Sequence, residues 1–108
     1  MDYSYFKLEI FIPKTHLKNL QKALQKVDAG HFGKYDSCLS YMPVTGVWRS
    51  LEGAKPYIGE VGEVSEEPEI KVEVACKKEN LEKTLKSVKA VHPYEEPVIN
   101  IIPMNICL

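Results

Sequence analysis

The densest cluster of chemically capable side chains is His92-Pro93-Tyr94-Glu95-Glu96-Pro97. A histidine and two carboxylates are suitable ligands for a divalent metal. Adjacent residues on extended chain point opposite ways, so only one of Glu95 and Glu96 readily faces His92. The two glutamates follow a predicted helix C-terminus, where negative charge is mildly unfavourable and a compensating partner is expected. Set against this is a plain alternative: a rigid two-proline connection carrying solvated glutamates. His31 is a further candidate ligand, though a loop histidine is the simpler reading. A second cluster is Trp48, Arg49, Tyr57 and Glu60, which together could hold an anionic or aromatic ligand. Its alternative is a packed excursion in which Trp48 and Tyr57 anchor a loop whose glycines serve its turns.

Other chemistries lack their residues. Cys38, Cys76 and Cys107 stand apart, with none of the C-x₂-C spacing that an iron–sulfur cluster or soft-metal carrier needs. No aromatic residue accompanies a basic one over 70–76, as an RNA-recognition strand would require. Arg49 is the only arginine and lies away from the first helix, where an acyl-phosphate hydrolase of similar topology would hold its anion. Gly30-His31-Phe32-Gly33 follows a helix rather than preceding one, so the helix dipole opposes an anion there and a capping turn is the better reading. No nucleophile–base pair can be named from spacing.

The elements that must position these residues follow from periodicity. Over 3–12, Phe6, Leu8, Ile10 and Ile12 alternate with Tyr5, Lys7, Glu9 and Phe11, the pattern of a strand buried on one face. Pro13 ends it. Leu17, Leu20, Leu24 and Val27 form one stripe of a helix over 15–28, closed by Asp28-Ala29-Gly30 with Gly30 suited to a left-handed cap. Residues 35–45 are extended and end at Pro43, with Gly46-Val47-Trp48-Arg49 turning back as a short partner. Residues 50–68 form a long excursion rich in turn formers, of a kind that is often functional. Residues 69–76 give a second alternating strand with Ile70, Val72, Val74 and Cys76 inward. A helix follows, with Asn80 as N-cap and Leu81, Leu85, Val88 and Val91 as its stripe. His92-Pro93 stops it, and 97–103 is a last apolar strand.

The order predicts an α+β, ferredoxin-like βαββαβ sandwich, with a four-stranded antiparallel sheet and two helices on one face. Lys7/Glu9 and Lys71/Glu73 would pair across neighbouring central strands. Tyr3, Tyr5 and Phe11 make the second sheet face apolar enough to suggest contact with another subunit.

Size and charge agree. The chain has 108 residues, 44% hydrophobic and 27% charged, with net charge −1, which predicts a single domain over 1–108. Near-neutrality argues against nucleic-acid binding through phosphates. No apolar run suits a membrane span, and Met1-Asp2-Tyr3-Ser4 does not open a signal peptide. Three unpaired cysteines suit the cytoplasm.

Three stretches together carry a family resemblance: residues 29–35 (AGHFGKY), 48–62 (WRSLEGAKPYIGEVG) and 92–97 (HPYEEP). They resemble the insert domain of the Ngg-interacting-factor-three-like family, the GTP cyclohydrolase I type 2 homologs, over Phe6 to Pro103. The resemblance implies a domain similar to the CutA and PII signalling proteins, which form trimers. Full-length members of the family carry a two-metal site in halves flanking the insert. Those halves have no counterpart in these residues, so no metal-hydrolase ligand carries over. The expectation is an insert domain without its host, a non-catalytic module that oligomerises, with regulation as its role and a small molecule or protein as its partner. A divalent-metal-binding protein similar to CutA is the second reading. An enzyme with a site between subunits is the third.

Overall fold

The computed structural model describes residues 3–108. Met1 and Asp2, on which part of the signal-peptide reading rests, lie outside the described residues. Strand β1 (Tyr5–Ile12) leads through a short 3₁₀ turn to helix α1 (Leu17–Lys26). Strands β2 (Ser40–Arg49) and β3 (Val64–Lys77) follow, then α2 (Leu81–Val91) and β4 (Ile99–Met104). All neighbouring strands are antiparallel, in the order β2-β3-β1-β4. This is the ferredoxin-like arrangement that the alternation predicts.

The core forms where the two periodicities meet. Leu8, Ile10 and Ile12 of β1 and Ile70, Val72, Val74 and Cys76 of β3 face Leu17, Leu20 and Leu24 of α1 and Val88 of α2. Ser87 Oγ donates to the Ala23 carbonyl at 2.9 Å and ties the helices together. Helix α1 ends in a Schellman turn. Ala29 N–H bonds the Leu24 carbonyl, Asp28 N–H bonds that of Gln25, and Asp28 itself takes the left-handed conformation at φ 60°. The cap is therefore Asp28, an aspartate being one of the few side chains that tolerate this region. Gly30, at φ 74°, makes a second left-handed step just beyond it.

On the opposite sheet face, Lys7 and Lys71 each reach both Glu9 and Glu73 at 3.3–3.5 Å. Glu9 and Glu73 face one another across β1 and β3, a repulsive pairing that the two lysines offset. Asn100 of β4 donates to Glu9 as well, and this bond, with the lysines, holds the Glu9 carboxyl below its ordinary range. Phe11 lies on the same face under Lys71 Nζ, and Tyr5 stacks with Phe32 at 6.1 Å.

The largest departure from expectation is in β2 and β3. Pro43 does not end β2, and Gly46–Arg49 do not turn back. They continue the same strand, paired with Val64–Glu67 of β3. β1 ends opposite Ile70, so Val44–Arg49 and Val64–Glu69 run on alone as a two-stranded arm, ~20 Å long at 3.4 Å per residue. β2 is an edge strand, and an edge strand can leave the missing N–H of Pro43 on its open side. Pro68 likewise stands where β3 has a neighbour on one side only. The excursion shrinks to the arm's tip, where Ser50 and Val61 bridge its neck and Gly62 N–H bonds the Ser50 carbonyl at 2.8 Å.

Candidate functional site

The arm's tip does not project freely. It folds back toward the end of β1, where the connection from α2 to β4 meets it. Tyr57 of the tip packs edge-on against His16 at 5.8 Å and lies 6.2 Å from Tyr94. Tyr94 also contacts Trp48 at 6.0 Å and His92 at 4.9 Å. Lys55 N–H donates to Glu95 Oε2 at 3.0 Å, a second tie between tip and connection. Between them lies a cleft of about 770 Å³.

The cleft joins the two clusters that the sequence singled out separately. Trp48, Arg49 and Tyr57 line it, and so do Glu95 and Glu96. Successive strand residues face opposite ways, so Trp48 turns toward Tyr94 while the exposed Arg49 leaves by the other side of the arm. Glu60 is not part of the lining. It is exposed in a turn at the tip, where its carbonyl accepts from Glu63 N–H.

Among the lining residues that the sequence reading did not nominate, Tyr94 and Glu69 form a pair. Glu69 is only 7% exposed, and its Oε2 accepts a 2.6 Å hydrogen bond from Tyr94 Oη. Burial first, and then the adjacent Glu69 carboxylate, push the Tyr94 phenol well above the ordinary tyrosine range, so it stays a donor. Gly46 makes the arrangement possible. A Cβ there would collide with the Glu69 carboxylate, so the gap between Val44 and Trp48 on that strand face is the seat of Glu69. Tyr94 sits in plain view between the nominated His92 and Glu95. Glu69 reads as one more outward residue of a strand, because the tyrosine that covers it comes 25 positions later.

The structure does not bring the four metal candidates together. His92 is buried, and its Nε2–H donates to the Phe11 carbonyl at 2.7 Å while Nδ1 accepts from Tyr94 N–H at 3.2 Å. One nitrogen must carry a proton and the other must not, so the ring is neutral and fully occupied. His31 lies toward the opposite end of β1, beside Gly30, which bonds the Ala75 carbonyl across from Lys7. Its Nδ1 faces the Asp28 carboxylate and its Nε2 the Gly33 carbonyl, both at 2.9 Å. Both partners accept, so both nitrogens carry hydrogens. Among the described residues no group of three or more His, Cys, Asp or Glu side chains is placed to hold a metal ion.

The two histidines consequently titrate in opposite directions. Burial pushes His92 below its ordinary value, whereas the hydrogen bond to Asp28 raises His31 above it. As pH falls, the unfolded chain protonates His92 before the folded chain does. The stability that neutral His92 contributes is present above the unfolded value and lost as pH falls toward the folded one. His31 behaves oppositely: its contribution is complete below the unfolded value and lost as pH rises through the folded one. Imidazole ¹⁵N–¹H spectra across this range should show His92 as the Nε2–H tautomer titrating low and His31 titrating high. A His92 midpoint at or above the ordinary value would contradict the buried geometry.

No family model matches the chain. A GTP cyclohydrolase 1 type 2 homolog from Halalkalibacterium halodurans is 34% identical over 101 residues, covering 94% of this chain and 27% of that protein. One from Bacillus subtilis is 35% identical over 99 residues, covering 92% and 26%. The chain thus spans about a quarter of the length of the curated relatives it matches. Among solved structures, a Bacillus cereus protein related to NIF3 superimposes with a TM-score of 0.84 at 28% identity, over 96% of this chain and 26% of that one. The CutA divalent cation tolerance protein of Archaeoglobus fulgidus superimposes with a TM-score of 0.69 at 20% identity, over 96% and 87%, which is a likeness of fold. The chain is therefore related, over nearly its whole length, to one segment of the NIF3-related GTP cyclohydrolase 1 type 2 homologs, and its fold is that of CutA.

Proposed function

We propose that this chain is a non-catalytic binding module that assembles with copies of itself and holds a small ligand in the cleft beneath the arm. The observation that carries this reading is the cleft itself. It falls in the size range of small-molecule sites, and it gathers the faces of Trp48, Tyr57 and Tyr94 with a few polar groups. Assembly is supported by the two open sheet edges, β2 and β4, and by exposed apolar residues of the arm, Val47, Leu51, Val61 and Val64. A trimer is the stoichiometry we propose, on the family resemblance, and regulation is the role that suits such a module. The divalent-metal reading keeps Glu95 and Glu96 on the cleft but finds His92 and His31 committed elsewhere, so a molecular ligand is favoured. No helix among the described residues is long and apolar enough to cross a membrane, and three free thiols support a cytoplasmic setting.

Native mass spectrometry of protein purified from its host tests both halves together. The expected spectrum shows a trimer that retains a small molecule. A monomer without added mass at micromolar concentration would overturn the proposal.

A further inference from the structure

We infer that the cleft selects an organic cation, an amine, guanidine or quaternary ammonium group carried on an apolar body, a reading that rests on the binding role proposed above. Four acidic residues line the cleft, Glu52, Glu69, Glu95 and Glu96, against one basic residue, Arg49, whose exposed side chain leaves by the other side of the arm, in a chain whose net charge is −1. Among the described residues none of these four forms an ion pair. Lys71, on the same sheet face as Glu69, is committed to Glu9 and Glu73.

Glu69 is the sharpest of the four. A carboxylate this deeply buried is costly unless its charge is met. Tyr94 Oη satisfies one oxygen only. Among the described residues Oε1 makes no hydrogen bond, yet no fully buried side-chain oxygen there lacks a partner, so Oε1 retains some exposure, and it lies beside Gly46, which lines the cleft with Glu69. The rings of Trp48, Tyr57 and Tyr94 line the same cleft, and aromatic faces attract a cation while their area suits an apolar body. Among the described residues no three of these carboxylates converge as a chelating metal site would have them, and their spread suits an organic cation carried on an apolar body. The same field repels anions, which removes the anionic ligand that Arg49 suggested in the sequence.

The test uses Trp48, the only tryptophan of the chain, as reporter in titrations of the full protein. The probes share a phenethyl body: phenethylamine, phenethylguanidine, phenethyltrimethylammonium, neutral phenethyl alcohol and anionic 3-phenylpropionate. At least one cationic probe is expected to bind about tenfold or more tighter than the alcohol, and the carboxylate weakest. Glu69→Gln preserves shape and the bond from Tyr94 and should erase that preference. Glu96→Gln, at an exposed position where folding is not at issue, should reduce it about threefold. Equal binding of alcohol and cations, or a preference unchanged in both variants, overturns the cation assignment while leaving a ligand cleft. Silence of Trp48 toward all five probes also overturns it, and the native mass spectrum then decides separately whether the cleft binds anything.

Discussion

Gly30→Ala is expected to destabilise the fold by about 3 kcal/mol or more, enough to lower the melting temperature of a chain this size by more than about 10 °C. Two effects combine. At φ 74° an alanine side chain is in the left-handed region, which costs about 1–2 kcal/mol. Its Cβ would also overlap the backbone carbonyl of Cys38, an atom that cannot swing aside as a side chain can. Relief requires moving the 31–38 turn, and that turn is pinned at Gly30 on both sides. Gly30 N–H bonds the Ala75 carbonyl at 2.8 Å, and Cys38 N–H bonds the Gly30 carbonyl at 2.9 Å. Each such bond is worth about 1 kcal/mol. Gly33→Ala is the matched comparison: its φ is 59°, but a Cβ there meets nothing within 4 Å. It should cost only the conformational term. Urea denaturation of the two variants decides the matter, and a Gly30→Ala cost no greater than that of Gly33→Ala would show that the turn can shift.

Gly30 also marks how far local signals reach. The sequence flags it as left-handed and the structure agrees, yet the helix cap is Asp28, because an aspartate in that conformation leaves a weaker mark than a glycine. β1, α1, α2 and the inner half of β3 are legible because each buries one face against the same core, so their apolar residues recur at the period of the element. The arm has no helix over it. Along Val44–Arg49 and Val64–Glu69 no stripe of buried apolar residues marks the strand, and Pro68 within the arm and Pro43 just before it argue against one. What makes these residues strands is their pairing with one another. That pairing is a non-local fact, and single-residue preferences do not carry it. The cleft was half legible for the same reason. Trp48, Tyr57, Glu95 and Glu96 stand out by type, but that they meet depends on a tip folding back across about 40 residues of sequence separation, as between Lys55 and Glu95.

Tyr94 makes that meeting possible, so Tyr94→Ala should have the second large effect, about 3 kcal/mol, with loss of binding at the cleft. The substitution removes three ring contacts, to His92, Trp48 and Tyr57, each worth about 0.5–1.5 kcal/mol in pair energy. It also strips from a buried carboxylate its one hydrogen bond among the described residues, worth about 1.5–3 kcal/mol where a charged acceptor is involved. Partial exposure of the ring and relaxation around Glu69 bring the sum down to the figure given. Tyr94→Phe separates the two causes, since it keeps the rings together and removes only the phenolic donor. Its cost should be about half, and the tip should stay in place. Hydrogen exchange reads the difference directly. In Tyr94→Ala the amide of Lys55 should lose its protection along with its neighbours at the tip, because the substitution removes the ring contacts to Trp48 and Tyr57 and leaves the tip to weaker ties such as the Glu95 hydrogen bond and the His16–Tyr57 pair. In Tyr94→Phe that protection should persist. Equal loss of protection in the two variants would mean that the hydroxyl, and not the ring cluster, closes the cleft, and the aromatic wall would then follow the buried carboxylate rather than frame it.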